Sequence, residues 1–302
     1  MNLVRVISKI LQQEDINFLL CNRIPRLWMT RFFGWYSQIE RRWLVRGSIA
    51  LWRMFSALEL NEAKKTRFSS LHDCFTRELK DGARPINKDQ SVLTSPCDGI
   101  VGAIGRVEEE SVLQAKGFPY RLIDLLGDPQ LVRYYARGSY ATLRLTSGMY
   151  HRFHAPHDCC VEQVNYVSGD TWNVNPIALR RVENLFCRNE RAIIRCRLQT
   201  SGDLITLVPV AAILVASIRL HFLDVLLHLK YRGPNVIECA HSLLKGEEMG
   251  WFQHGSTILV FAPEGFSFCT NIHEGSMVRV GQPLFTTPRH VAATTSSDER
   301  SI

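Results

Sequence analysis

The sequence lacks the cysteine patterns of proteins that are stabilised by disulfide bonds or by structural metal ions. Its nine cysteines are odd in number, and no two of them form a Cys-x-x-Cys pair. A disulfide framework or a zinc finger is therefore not expected, and a reducing, cytosol-facing compartment fits better. The cysteines are Cys21, Cys74, Cys97, Cys159, Cys160, Cys187, Cys196, Cys239 and Cys269.

Long apolar runs are also missing. The longest run, Leu207 to Ile218, contains Pro209 and falls short of the roughly 18–20 residues that a membrane span requires. The first residues of the chain lack a continuous apolar stretch and a small-residue cleavage site, so no secretory signal is predicted. We therefore expect a protein that does not cross a membrane, although it can lie on one.

Positive charge is concentrated near the start of the chain. Residues 1–65 contain eleven Lys or Arg and five Asp or Glu, a net charge of +6 out of the +7 of the whole chain. Such a basic segment suits an anionic surface, either lipid headgroups or nucleic acid. No nucleic-acid-binding motif is recognised, so nucleic acid is not expected as a partner.

Tryptophan and other apolar residues of this segment recur at helical spacing, which predicts helices. Helices that simply pack on the rest of the protein are the alternative to a surface-binding role. The residues are Trp28, Phe32, Trp35 and Ile39, and two further tryptophans of the segment are Trp43 and Trp52.

From about residue 92 the sequence changes to short β-branched runs broken by Gly, Pro and Asp, which predicts a β-rich body. The fold class is therefore α+β, with N-terminal helices over 1–70, a β-rich catalytic body over 71–287 and a flexible tail over 288–302. A loose repeat of strand–turn units resembles the barrel-sandwich fold of lipoyl and biotinyl carrier domains. A carrier function is not expected, because no lysine stands at a suitable hairpin tip. The predicted strands are Ala141–Leu145, Val161–Val167, Ala192–Leu198, Leu204–Val208 and Thr257–Ala262.

Three segments contain residues suited to catalysis, although each has a purely structural alternative. Asp98 lies in a Ser-Pro-Cys-Asp-Gly turn, which a turn-capping aspartate also explains. His151 and His154 lie in a histidine-rich segment, where their spacing on a strand directs them to opposite faces and argues against a metal site. Ser256 follows Gly255 at the start of an apolar strand, which a simple turn also explains.

A serine, a histidine and an aspartate in separate segments permit a nucleophilic triad. That logic alone leaves two possibilities open, a serine hydrolase and a self-processing protein. The absence of a Gly-x-Ser-x-Gly element counts against an α/β-hydrolase.

Four ordered motifs between about residues 70 and 287 resemble the phosphatidylserine decarboxylase family. Lys245-Gly-Glu-Glu-Met-Gly-x-Phe-x-x-Gly255-Ser256-Thr257 is similar to its self-cleavage segment. Tyr150-His151-Arg152-x-His154-x-Pro156 and Ser95-Pro-x-Asp98-Gly99 are similar to its histidine and aspartate segments. The fourth motif is Val174-Asn175 with Glu183-Asn-Leu-Phe-x-Arg-Asn-Glu-Arg191. The chain departs from the family pattern at His254, where leucine is usual, and at Ser147-Gly-Met, where Pro-x-Asp is usual.

The resemblance implies a proenzyme that cuts itself between Gly255 and Ser256, with Asp98, His154 and Ser256 as the triad. The products are a β chain of residues 1–255 and an α chain of residues 256–302. Ser256 then becomes a pyruvoyl cofactor, which forms a Schiff base with phosphatidylserine and releases phosphatidylethanolamine and carbon dioxide. His151 is expected to return a proton to the substrate or to position its carboxylate.

The same resemblance implies the partners and the location of the protein. The expected partners are phosphatidylserine, an anionic membrane surface and the α and β chains of the same proenzyme, while a homodimer is left open. The expected location is the cytoplasmic face of the inner membrane, to which the protein binds peripherally. No metal is expected.

Overall fold

The computed structural model describes residues 13–15, 18, 26–115, 118–212, 217–228, 231–253 and 256–288. Its helices are α1 (Arg26–Ser37), α2 (Arg42–Phe55), α3 (Leu71–Phe75), α4 (Leu122–Leu126), α5 (Pro129–Tyr134), α6 (Pro176–Leu179) and α7 (Leu185–Arg188). The strands of the first half are β1 (Val92–Thr94), β2 (Gly99–Arg106), β3 (Ser111–Ala115), β4 (Phe118–Arg121), β5 (Ser139–Leu145), β6 (Arg152–His154) and β7 (Cys159–Val167). Those of the second half are β8 (Arg191–Leu198), β9 (Leu204–Ala211), β10 (Ser217–Leu220), β11 (Val225–His228), β12 (Val236–Leu243), β13 (Glu248–Phe252), β14 (Ser256–Ala262), β15 (Ser267–Phe268), β16 (Met277–Val278) and β17 (Pro283–Thr286).

An antiparallel sheet of eight strands, in the order β12-β7-β8-β9-β14-β5-β2-β16, forms the centre of the body. Strand β14 lies in its interior, hydrogen-bonded to β9 on one side and to β5 on the other. Its first residue, Ser256, pairs with Ala211 and with Leu145. The strand that begins at the predicted cleavage position is therefore paired on both edges.

The interior strands β5, β9 and β14 of this sheet are buried on both faces, which explains why they are nearly continuous apolar runs. Along β14, Ile258 and Val260 face one core cluster, whereas Leu259 and Phe261 face another. We call the first cluster the inner layer, because it is closed by a four-stranded sheet in the order β11-β10-β13-β6. The second cluster is covered by the short helices α4 to α7 and the β3-β4 hairpin. Each fully buried aliphatic or aromatic side chain contributes about 1.5–3 kcal/mol to the stability of this arrangement.

The predicted α+β class is confirmed, with few helices and a strand-rich body of open sheets. The five predicted strand runs all coincide with strands of the eight-stranded sheet. The barrel-sandwich detail is not confirmed, since the strands of the described residues are arranged in open sheets. The proposed domain boundaries remain predictions, and nearly all of the predicted tail, residues 289–302, lies outside the described residues.

The four tryptophans of helices α1 and α2 differ in their exposure to solvent. Trp28, Trp35 and Trp43 are exposed, at 74%, 64% and 76% of their surface. Trp52 instead stacks on Phe75 of α3, with ring centroids 5.9 Å apart. The two sequence-based explanations, packing and surface binding, thus apply to different tryptophans. Among the described residues, every helix is too short or too polar to span a bilayer.

Candidate active site

His154 is held by a hydrogen bond at each ring nitrogen. Its Nδ1 lies 2.9 Å from the carbonyl oxygen of Gly246, and its Nε2 lies 3.1 Å from the hydroxyl of Tyr150. Because a carbonyl only accepts, Nδ1–H donates to Gly246 and Nε2 accepts from the Tyr150 hydroxyl. Burial lowers the pKa of His154 below its usual value, an effect that the Gly246 carbonyl partly offsets. The imidazole is thus neutral near pH 7 and has an unprotonated Nε2, as a general base requires.

His151 and His154 face opposite sides of the chain around β6, in line with their spacing. His154 and Arg152 line an open cavity of about 510 Å³. His151 and Phe153 are fully buried on the other side. Nδ1 of His151 donates to the Met149 carbonyl at 2.9 Å, and its ring lies 3.9 Å from the ring of Phe75.

Asp98 is buried and held by Arg84. The Arg84 Nε lies 2.9 Å from Oδ1 and its Nη2 lies 2.6 Å from Oδ2, while the Val280 backbone N–H donates to Oδ1 at 3.0 Å. No direct hydrogen bond joins Asp98 to His154 in the described chain, since both ring nitrogens have the partners given above. The connection is indirect: the Arg84 guanidinium lies 5.9 Å from the centre of the Tyr150 ring, and Tyr150 bonds to His154.

Ser256 is fully buried at the start of β14. Its hydroxyl makes no hydrogen bond within the described residues. An unsatisfied buried hydroxyl costs about 1–3 kcal/mol, so such a group in a native fold calls for a functional explanation. Gly255 and His254, which precede it, lie outside the described residues.

The structure therefore brings together Tyr150, His154 and Asp98 around Arg84, whereas Ser256 faces the inner layer. The strand pairing still brings the histidine segment near the predicted cleavage segment, because β6 pairs with β13, which leads directly into it. The backbone N–H of Phe252 donates to the carbonyl of His151 at 3.0 Å. The predicted roles of the four site residues remain predictions.

The open cavity beside His154 carries charges of both signs. Arg152 binds Glu248 at 2.9 Å, and Glu248 also accepts from Nε2 of His221 at 2.8 Å. Lys64 and Lys80 stand at the cavity with them. Within the described residues, no group of three or more His, Cys, Asp or Glu side chains is arranged to hold a metal ion.

Three contributors to the site were not predicted from the sequence. Tyr150 was part of a quoted motif but received no role, and its position next to His151 was the only available signal. The Gly246 carbonyl is a backbone group, which carries no residue-type signal. Arg84 lies 14 residues before Asp98 in the chain and belongs to no motif quoted above.

The chain is similar to known proteins over most of its length. Residues 71–286 match the family model described as phosphatidylserine decarboxylase. The chain is 34% identical over 294 residues to a phosphatidylserine decarboxylase proenzyme of Klebsiella pneumoniae, covering 93% of this chain and 91% of the relative. It is also 34% identical over 275 residues to the proenzyme of the same name from Salmonella agona, covering 87% of this chain and 85% of the relative.

The β-rich body holds a buried serine that has no hydrogen-bond partner among the described residues, and a neutral histidine beside a cavity. The family match identifies the protein as an enzyme. The family match spans more than two thirds of the sequence. The chain belongs to the phosphatidylserine decarboxylase family.

Proposed function

We propose that this chain cleaves its own backbone between Gly255 and Ser256 and then decarboxylates phosphatidylserine to phosphatidylethanolamine and carbon dioxide. The observation that carries the proposal is the Ser256 hydroxyl, fully buried and without a hydrogen-bond partner among the described residues. Membership of the family supports the lipid reaction, and the word proenzyme in the names of the relatives supports processing. The serine hydrolase alternative is not favoured by this membership.

In the processing step, His154 accepts the proton of the Ser256 hydroxyl, and the oxygen attacks the carbonyl carbon of Gly255. The neutral Nε2 of His154 supports this assignment. The acyl group moves from nitrogen to oxygen, and glycine suits this attack because no side chain blocks its carbonyl. Since the Tyr150 hydroxyl bonds to Nε2, it must either pass the proton on or turn aside.

The negative charge of Asp98 favours the positive imidazolium that forms when His154 takes the proton. Its ion pair with Arg84 fixes the carboxylate in place rather than leaving it free to rotate. We therefore assign Asp98 an electrostatic role towards His154. It also helps to position His154 through Arg84 and Tyr150, which lie between them.

Ser256 fits a pyruvoyl group, because its side chain is small, uncharged and buried, and has no hydrogen-bond partner within the part of the chain that the structure describes. The pyruvoyl group supplies a carbonyl that takes up the substrate amine and accepts the electrons released as carbon dioxide leaves. His151 holds the proton that is returned to the substrate carbon, and its contacts with Met149 and Phe75 fix its orientation. Lys64, Lys80 and Arg152 at the cavity attract the anionic headgroup.

The helices α1 and α2 are assigned to membrane docking at the cytoplasmic face of the inner membrane. Exposed Trp28, Trp35 and Trp43 suit the headgroup region of a bilayer. The basic segment attracts an anionic surface at about 1 kcal/mol for each nearby Lys or Arg. The same charge concentrates the enzyme where its anionic substrate lies.

The test compares the natural chain with Ser256→Ala, using Ser267→Ala, a surface serine, as the matched control. Ser256→Ala is expected to remain one chain without decarboxylase activity, because the attacking hydroxyl and the source of the ketone are both lost. The control is expected to be cleaved and active. Full-length Ser256→Ala that still decarboxylates phosphatidylserine would end the proposal.

A further inference from the structure

Glu190 is a buried carboxylic acid that the proposed mechanism leaves without a role. Glu190 is fully buried, and neither of its carboxyl oxygens makes a hydrogen bond within the described part of the chain. The Tyr166 hydroxyl lies beside the Glu190 carboxyl group. Burial raises the pKa of Glu190 to about 7, and the nearby Tyr166 offsets part of this rise. A polar group buried in this way is expensive unless it serves a purpose.

The strand pairing relates Glu190 directly to Ser256. The backbone N–H of Ala211 donates to the Glu190 carbonyl at 2.8 Å, and Ala211 is the register partner of Ser256. The three residues thus form one row across neighbouring strands. Strand spacing sets the backbones of Glu190 and Ser256 about 10 Å apart.

All three side chains of this row point into the inner layer. Every second residue of a strand lies on the same face of the sheet. Ala211 belongs to the inner layer, and so do Ala192 and Ile194, two and four residues after Glu190. Ile258, two residues after Ser256, belongs to it as well. Ala211 is the middle residue of this row, on the strand between those of Glu190 and Ser256. A general base can act directly or through one bridging water, so a glutamate side chain that extends over Ala211 towards Ser256 suits this role.

The chemistry of processing needs a proton acceptor at this place. After the acyl shift, the chain is held by an ester between Gly255 and the Ser256 oxygen, and breaking it by elimination requires removal of the α proton of residue 256. Glu190 lies on the same face of the eight-stranded sheet as Ser256, the face that is closed by the inner layer. A carboxylate in a dry layer is also more basic than one in water.

We propose that Glu190 is the base that removes the α proton of residue 256, directly or through one water, and so breaks the ester. This step rests on the self-cleavage proposed above. The electron pair of the Cα–H bond forms the Cα–Cβ double bond, the Cβ–Oγ bond breaks, and Gly255 leaves as a carboxylate while Glu190 holds the proton. Water then replaces the nitrogen of residue 256, which departs as ammonia.

The experiment follows newly synthesised chains of the natural sequence and of Glu190→Gln by gel electrophoresis, with and without neutral hydroxylamine. Hydroxylamine cleaves esters but leaves ordinary peptide bonds intact. Glu190→Gln is expected to form the α chain about a hundredfold more slowly, the typical effect of losing a general base. Its full-length chain is expected to be cut by hydroxylamine, giving an α chain that begins with an intact serine.

Thr142→Val is the matched control, because it removes a buried hydroxyl from the other face of the same sheet, one that also makes no hydrogen bond to any described residue. It is expected to cleave at the natural rate. Glu190→Asp keeps the carboxylate but shortens its reach, so hydroxylamine-sensitive chain should appear transiently before cleavage completes. Melting temperatures measured in the Ser256→Ala background show whether each variant folds.

Two results overturn the inference: cleavage of folded Glu190→Gln at the natural rate, or folded full-length Glu190→Gln that resists hydroxylamine. If Glu190→Gln does not fold, the hydroxylamine assay is carried out on Glu190→Asp instead. If no full-length Glu190→Asp chain is cut by hydroxylamine at any time, the inference is overturned. Failure of the proposed function has a different signature, since the natural chain would then yield no fragment beginning at residue 256.

Discussion

The hydroxyl of Tyr150 lies 3.1 Å from Nε2 of His154, so the nitrogen assigned to proton transfer already accepts a hydrogen bond. The other nitrogen, Nδ1, donates to the Gly246 carbonyl at 2.9 Å. A backbone carbonyl and a tyrosine hydroxyl therefore select the tautomer of His154. Because Tyr150 also borders the Arg84–Asp98 pair, it links the aspartate and histidine segments.

Tyr150→Phe is expected to slow self-cleavage about tenfold. The substitution keeps the ring but removes the hydroxyl that can pass the Ser256 proton on to Nε2, and a tenfold slowing corresponds to a barrier higher by about 1.4 kcal/mol. Pulse-labelled chains followed by gel electrophoresis give the rate. Tyr134→Phe, which removes a hydroxyl bonded to the Leu204 N–H away from the site, is the control. Equal cleavage rates for Tyr150→Phe and the natural chain would remove Tyr150 from the mechanism.

His154→Ala and Asp98→Asn are expected to block or strongly slow cleavage, because the serine loses its base or the base loses its compensating charge. His151→Ala is expected to permit cleavage and to lose decarboxylation. His273→Ala, on an exposed turn, should change neither. If His151→Ala blocks cleavage and His154→Ala does not, the two histidines have been assigned in reverse.

Arg84→Ala is expected to lower the free energy of unfolding by about 3–5 kcal/mol, because it leaves the buried carboxylate of Asp98 without its cation. The two side chains of this ion pair are only 10% and 8% exposed. Urea titration in the Ser256→Ala background measures the loss without interference from cleavage. Arg137→Ala breaks an ion pair with Glu264 whose side chains are 79% and 55% exposed, and it should change stability little. A similar small loss for both variants would show that Arg84 does not hold Asp98.

Replacement of Arg41, Arg42 and Arg46 by Gln is expected to weaken binding to anionic liposomes and to leave self-cleavage intact, since cleavage is intramolecular. Binding of the natural chain should also weaken as salt rises, because exposed charges are screened. Sedimentation with vesicles containing phosphatidylserine measures both effects.

The two kinds of tryptophan provide a matched comparison for this docking surface. Trp43→Ala should reduce liposome binding without loss of stability, whereas Trp52→Ala should chiefly lower stability, since it removes the stack on Phe75. The docking assignment fails if removal of residues 1–60 gives a folded, cleaved enzyme that binds anionic liposomes as tightly as the whole protein.

The sequence predicted the interior of the fold better than its layering. Runs such as Leu204–Val208 identified strands because a strand buried on both faces must be apolar throughout. The way the sheets stack depends on pairings between distant segments, such as β6 with β13, which local patterns do not encode. The strand–turn rhythm therefore predicted strands correctly but could not establish a barrel.

For the site, the sequence identified the reactive residue types but not their partners. Asp98 and His154 stood out because carboxylate and imidazole carry recognisable chemistry. Their partners, Arg84 and the Gly246 carbonyl, did not, since an arginine is usually a surface residue and a carbonyl is common to every residue. Glu190 was within a quoted motif, but only burial distinguishes it from a surface glutamate.

The mass of the fragment that contains residue 256 tests the central claim most directly. The account predicts that the purified protein separates into two chains, and that the smaller chain starts at residue 256 with a ketone in place of the serine amine. Such a chain resists Edman degradation and reacts with a hydrazide reagent. The account would be contradicted by a single intact chain of 34.5 kDa that decarboxylates phosphatidylserine. It would equally be contradicted by an active enzyme whose α chain begins with a free serine amine.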